Sequence, residues 1–411
     1  MGLVSLSIKF VIIFTGMAVV HASDLYALTF KPASPDQVLA TLSGGFGGSD
    51  AANGLSALRD ARRKNPKSVV NALALTDELL KIGRSTGLPR FYGEAEAVLA
   101  PWWQEKTPPT DVLLRRANIY QFNHQFGLAL QDLEVYLRAN PTDSNARLME
   151  ATINMIIGRY AQAKHSCGAL PAGRNSVVRT VCGLAASAML GNSKTNFTIM
   201  TSMFASSLAS ANVSKSLSRG SLSDVDKYIK TVTADMALQL NATKTAQKEL
   251  MEIYQSDPAD RFNAINLTDV FLDQNRYLEA SRVVCQFEGI QAAVLRCARA
   301  MRILDPLRFR ELVGRIASEV KADTQRGTSV HQREAAYFYL YLNDDPSQAL
   351  MAAKQNFELQ KEPIDARLLL ESAFASGKFF EASSALRWME ETSYKHERFL
   401  WLKDQMRGVH K

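Results

Sequence analysis

The sequence predicts an all-α protein, a right-handed superhelix (α-solenoid) of stacked helical hairpins. Three observations predict it. Small, aromatic and proline residues recur in frames 34 residues apart over most of the chain. Apolar residues follow the helical period, and no segment shows the two-residue alternation of a half-buried strand. The composition, 46% hydrophobic and 22% charged, supplies a sizeable core and excludes an overall disordered chain. At 411 residues the chain has room for two or three ordinary domains or one elongated array.

Residues 1–22 read as a secretory signal. Lys9 supplies the charge, Phe10–Val20 the apolar core, and Val20 and Ala22 the small residues before a cleavage point. The uncharged core is short against the ~20 residues needed to span a bilayer, so cleavage rather than anchoring is expected. No later run is long and apolar enough to span. The mature chain is therefore expected to be exported, periplasmic or secreted in a bacterium, with no stable membrane insertion.

Thr110–Pro141 forms one complete frame. Leu113, Ala117 and Tyr120 lie on a first helix, Phe126 ends the turn, Ala129 and Leu133 lie on a second helix, and Asn140-Pro141 stops it. One frame later stand Ala151, Tyr160, Ala163 and Cys167; one frame earlier stand Gly83, Tyr92, Ala95 and Leu99. The pattern returns over Lys227–Pro258 with Ala234, Ala237, Ala246 and Leu250, then with Phe271, Tyr277, Ala280 and Val284. Looser copies carry Cys297 and Ala298, then Ala349 and Pro363, then Phe379, Ala382 and Leu386. This small–aromatic–Ala–large–Pro order resembles the tetratricopeptide (TPR) repeat, with about nine units between residues 66 and 400. No single unit buries its apolar face alone, so stacking is obligatory.

The order of features along the chain is also similar to an uncharacterised group of exported bacterial TPR proteins. It rests on Ala100-Pro101-Trp102-Trp103, Gln125-Phe126 through Asp132-Leu133, the spaced cysteines, and Lys361-Glu362-Pro363 with Asp365-Ala366-Arg367. That resemblance implies fold and export and adds no mechanism.

Three segments depart from the repeat. Residues 23–65 are expected to be a partly flexible N-terminal extension; the run Gly44-Gly45-Phe46-Gly47-Gly48 lacks the Gly-Lys-Ser/Thr of a phosphate loop. Residues 202–223, rich in serine, read as a surface loop between units spanning 66–201 and 224–400, and residues 401–411 as a tail. Residues 299–326 form a basic helix pair with Arg299, Arg302, Arg308, Arg310, Arg315, Lys321 and Arg326, a solvated face or one that meets an acidic partner or an anionic surface.

Only four cysteines are present. Cys167 falls on a second helix and Cys182 opens the next first helix; Cys285 and Cys297 repeat that relation. Such positions face each other across the seam between stacked hairpins. Of the three connectivities available to four cysteines, repeat symmetry favours Cys167–Cys182 and Cys285–Cys297, with buried free thiols as the alternative.

No HExxH, CxxC or GxSxG occurs, so no metal or cofactor is expected and the chain reads as non-catalytic. An active site gathered from distant repeats is the minor alternative. The net charge of +7 comes from mixed signs, unlike the concentrated stripe of a nucleic-acid binder. The TPR resemblance implies a concave groove that binds a protein or peptide segment. Its lining slots are Asn118, Gln121, Phe122 and Asn145 in the first half, and Arg299, Arg302, Phe338 and Tyr341 toward the C-terminus. Asn118 and Asn145 fall near the Asn positions of the family's chaperone-binding clamp, but its Lys and Arg are missing. A basic C-terminal surface serving an envelope assembly is the alternative functional reading.

Overall fold

The computed structural model describes residues 49–173, 176–211, 222–326 and 331–408. They form nine helical hairpins, flanked by one helix at each side. The flanking helices are α1 (Ser49–Lys64) and α20 (Glu397–Gly408). The first-half hairpins pair α2 (Val69–Thr86) with α3 (Pro89–Trp103), α4 (Thr110–Phe122) with α5 (Phe126–Ala139), α6 (Ser144–Ile156) with α7 (Tyr160–Gly168), and α8 (Ser176–Ser187) with α9 (Ser193–Ala211). Next come α10 (Asp224–Gln239) with α11 (Thr243–Ser256), α12 (Arg261–Asp273) with α13 (Tyr277–Val284), and α14 (Gln291–Leu304) with α15 (Pro306–Arg326). The last two pair α16 (Gln332–Tyr341) with α17 (Pro346–Leu359), and α18 (Pro363–Ala375) with α19 (Ser383–Thr392). No strand occurs among the described residues.

The repeat is written in the packing. Ala95, Ala129, Ala163, Ala246, Ala280 and Ala349, the small slot of six second helices, and Ala382, which caps the start of α19, are each fully buried. A methyl there lets the two helices of a hairpin approach closely. Gly83 goes further, since a Cβ at this position would stand 2.7 Å from the ring of Tyr92.

The backbone repeats too. Eight of the nine hairpins turn through one left-handed residue: Gly87, His124, Gly158, Gly191, Asn241, Asn275, Asp344 and Gly377. Four are glycine, which enters this region freely, and the others are His, Asn or Asp, the side chains that tolerate it best. In five of these turns the following N–H closes on the carbonyl five residues back, as Gln125 does on Tyr120 (2.8 Å), Arg159 on Asn154 (2.8 Å) and Arg276 on Phe271 (2.9 Å). The α14–α15 turn is the exception.

Packing extends beyond the expected boundaries. Helix α1 lies inside the stretch expected as an extension, with Leu55 buried against α2 and α3. Helix α9 runs to Ala211, so residues 202–211 of the expected loop are helical; residues 212–221 lie outside the described residues, as do the signal and the glycine run. The expected tail is helical to Gly408 because Phe399, Leu402 and Met406 form one apolar face in the core.

Two cysteine pairs stand at disulfide distance and bond Cys167 to Cys182 and Cys285 to Cys297, with Cα atoms 5.5 and 5.1 Å apart. Each joins a second helix, or the residue that ends it, to the next first helix. Reduction should lower the midpoint of thermal unfolding, since closing a loop of this length contributes about 3 kcal/mol. Equal melting with and without reductant would show that the seams need no covalent tie.

Candidate functional site

First helices of adjoining hairpins pack on one another, α2 on α4, α12 on α14, α14 on α16 and α16 on α18, and so share one face of the array, here called its inner wall. Four of the expected groove residues lie in the first half of the wall. Asn118, Gln121 and Phe122 on α4 are half-buried, and Phe122 stacks on Tyr92 with ring centroids 3.5 Å apart. Asn145 is exposed at the start of α6, where its N–H donates to the capping carboxylate of Asp143 (2.9 Å).

The second half differs from the expectation. Phe338 is 3% exposed and belongs to the core, so it lines no groove. Phe338 shares its helix face with buried Leu342, four residues on, and belongs to the core cluster that joins α14, α16, α17 and α18. Tyr341 is half-buried and donates its hydroxyl to Glu371 (2.8 Å). Arg302 is exposed but committed to Asp344 at 2.6 Å. Arg299 lies over the Tyr341 ring, 4.1 Å from its centroid, and donates to the Tyr337 hydroxyl at 3.4 Å.

The largest feature that sequence reasoning missed is that the wall closes on itself. Lys361 donates its N–H to the carbonyl of Ile156 (2.7 Å), and its own carbonyl accepts from the hydroxyl of Tyr160 (3.0 Å). Trp388 completes the bond network by donating its indole N–H to the same hydroxyl (2.6 Å). Further along, the Gln239 amide donates to the carbonyls of Ala188 (3.2 Å) and Thr392 (2.7 Å). Lys395 then donates to the Gln239 carbonyl (2.8 Å), and Glu397 to the Asn241 side chain (3.1 Å). Arg367 on α18 reaches across to Asp273 on α12 with two bonds of 2.6 and 2.8 Å. Gly158 is the close approach in this contact, because a Cβ there would stand 2.7 Å from Lys361.

The α18–α20 region therefore packs against first helices and turns from the middle and the first half of the array. Tyr160 is an aromatic slot of the repeat, but nothing in the repeat pattern marks Trp388, Gln239, Thr392 or Lys395 as its distant counterparts. The pairing Tyr160–Lys361 spans 201 residues.

Electrostatics on this wall is mostly internal. Burial alone would raise the Glu371 carboxyl, but Arg367 and Arg398 outweigh it and hold the group at about 2. Asp235 on α10 behaves oppositely. It still reaches solvent, yet the helices around it strip its hydration, and Glu362 adds like-charge repulsion; together they push it up to about 7. The folded state thus binds this proton more tightly than the unfolded chain. Asp235 therefore costs no stability below about pH 4, costs progressively more between 4 and 7, and carries its full cost above 7. Asp235→Asn should raise the unfolding temperature most at pH 8, progressively less as the pH falls, and hardly at all at pH 4 and below. Parallel pH profiles for the two proteins would contradict this assignment.

The 34-residue hairpin, the buried alanine slots and the left-handed turns define the chain as an all-α array of stacked helical hairpins. No protein family profile matches the sequence, and comparison with curated proteins finds no match. Among solved structures, the TPR domain of P58(IPK) is similar at 12% identity with a TM-score of 0.20, covering 84% of this chain and 96% of that one. The structure of Naa15/Naa10 bound to HypK-THB is similar at 14% identity with a TM-score of 0.25, covering 87% of this chain and 63% of that one. At such scores neither bears on the fold, which rests on the geometry above.

Proposed function

We propose that this chain is an exported, non-catalytic scaffold that binds a protein or peptide segment on its inner wall. One observation carries the reading. Among the described residues, every arginine of the first helices α14, α16 and α18 is ion-paired to an acid except Arg299. Arg296 is paired with Asp269 at 2.7 Å, Arg302 with Asp344, and Arg367 with Asp273 and Glu371. Arg299 has tyrosines around it and no ion pair to an acid among the described residues. Arginine and tyrosine are the usual anchors of protein interfaces. Asn118, Gln121, Phe122, Asn145 and Tyr341 extend the same surface. The cysteine pairs fit an oxidising compartment, periplasmic or extracellular, and the mixed charge argues against nucleic acid.

The test is a photo-crosslinking residue at Phe262, which is 58% exposed on first helix α12, against one at Met351, 54% exposed on second helix α17. A discrete partner cross-linked in cells from position 262 only, and lost on Arg299→Glu, is the expected result. Equal yield from both positions, or from neither, overturns the reading. A partner serving an envelope assembly through the basic C-terminal units is the second reading, favoured by the exposed arginines that follow residue 304.

A further inference from the structure

We propose that the α14–α15 turn is a peripheral membrane contact for an anionic lipid surface. This turn is the one hairpin connection without a left-handed residue. Instead Asp305 caps α15 by accepting from the N–H groups of Leu307 and Arg308, both at 3.1 Å. The cap starts a 21-residue helix, longer than any other in the array.

The result is a protrusion. Residues 302–308 are all exposed, seven in succession. Three of them are large and apolar: Ile303 is 59% exposed, Leu304 41% and Leu307 76%. Isolated exposed apolar residues are ordinary, but three within five positions at a projecting tip form a patch.

Arg308 and Arg310 flank the tip, and Arg315 stands two turns farther along α15 than Arg308. Arg310 has no ion pair among the described residues. Arg308 reaches Glu288 only at 3.8 Å, and Arg315 reaches only the Glu288 carbonyl at 3.5 Å. Arg302 is already neutralised by Asp344, and Asp305 is turned to its helix N–H groups. Glu311 is the remaining acid of this turn.

Shape and residue type favour lipid over a protein pocket. A convex tip of leucine and isoleucine needs no complementary cavity in fluid acyl chains. Protein hot spots instead favour tryptophan, tyrosine and arginine, with leucine under-represented. Arginines set behind an apolar tip lie at headgroup level, their stems along the acyl boundary and their charges on phosphate. No described helix is long and apolar enough to cross a membrane, so the contact would be an interfacial one.

The experiment is flotation of the full chain with vesicles of phosphatidylcholine alone or with one quarter phosphatidylglycerol. The expected result is association with the anionic vesicles, weakened by salt as screening requires. The paired change Ile303→Ser and Leu307→Ser should reduce the bound fraction at least about fivefold, and Arg310→Glu similarly, as apolar insertion and headgroup attraction act together. All three residues are exposed, so thermal melting should match the native chain. Absence of vesicle binding overturns the proposal, and so does binding that survives the double serine change. A partner protein that binds the same tip without vesicles also overturns it.

Discussion

Arg333→Ala is expected to destabilise the protein by about 3–5 kcal/mol, the cost of stranding a buried charge. The stranded group is Asp365, which is fully buried. Its carboxylate accepts from Arg333 at 2.6 and 2.8 Å, from the Asn356 amide at 2.6 Å and from the Glu362 N–H at 2.9 Å. Burial holds the Asp365 carboxyl above its ordinary value even with Arg333 beside it. Without the arginine, protonation becomes the cheaper state. The variant should therefore regain part of its loss as the pH is lowered, and Asp365→Asn in the Arg333→Ala background should restore much of it. Denaturant titrations of the four members of this cycle measure the coupling. Simple additivity of the two single changes would show that the pair is not a unit.

Tyr160→Ala should cost a similar about 3–5 kcal/mol, from the cavity left by an aromatic ring and two broken hydrogen bonds. Tyr160→Phe separates these contributions. It keeps the ring but leaves the Trp388 N–H and the Lys361 carbonyl without their partner, at about 2 kcal/mol. The location of the effect matters more than its size. Repeat arrays unfold by neighbouring units rather than all at once, so loss of this contact should release α18–α20 ahead of the rest. Hydrogen exchange should show protection falling first around Trp388 and Lys395, with α4–α5 unaffected. Uniform loss of protection across the array would contradict a local closing contact.

The hairpins were legible in the sequence because their determinants are local. An alanine 34 residues after another alanine, with an aromatic three residues ahead, specifies one helix pair and its nearest neighbour. The cysteine pairing followed from the same register, since residues 167 and 182 flank a single seam. Helix α20 carried a signal that was overlooked: Phe399, Leu402 and Met406 stand at helical spacing but match no repeat slot. Phe338 was misplaced because its helix is short and strongly apolar, so the repeat frame alone did not say which face turns inward. The closing contacts left no trace at all. Gln239 and Thr392, or Tyr160 and Trp388, are ordinary residues whose meaning depends on the curvature accumulated over several units, and curvature has no local sequence code.

The two disulfides and the closing contacts divide the labour of holding the array. The covalent links span 15 and 12 residues, whereas Tyr160–Trp388 spans 228 and Gln239–Thr392 spans 153. Oxidation therefore stiffens one seam in each half of the chain but places no crosslink where the halves meet. That junction rests on hydrogen bonds, ion pairs and buried aromatic surface, which exchange reversibly. Fully oxidised protein thus has no covalent tie at that junction, and its strength is set by those noncovalent contacts rather than by the thiol–disulfide balance.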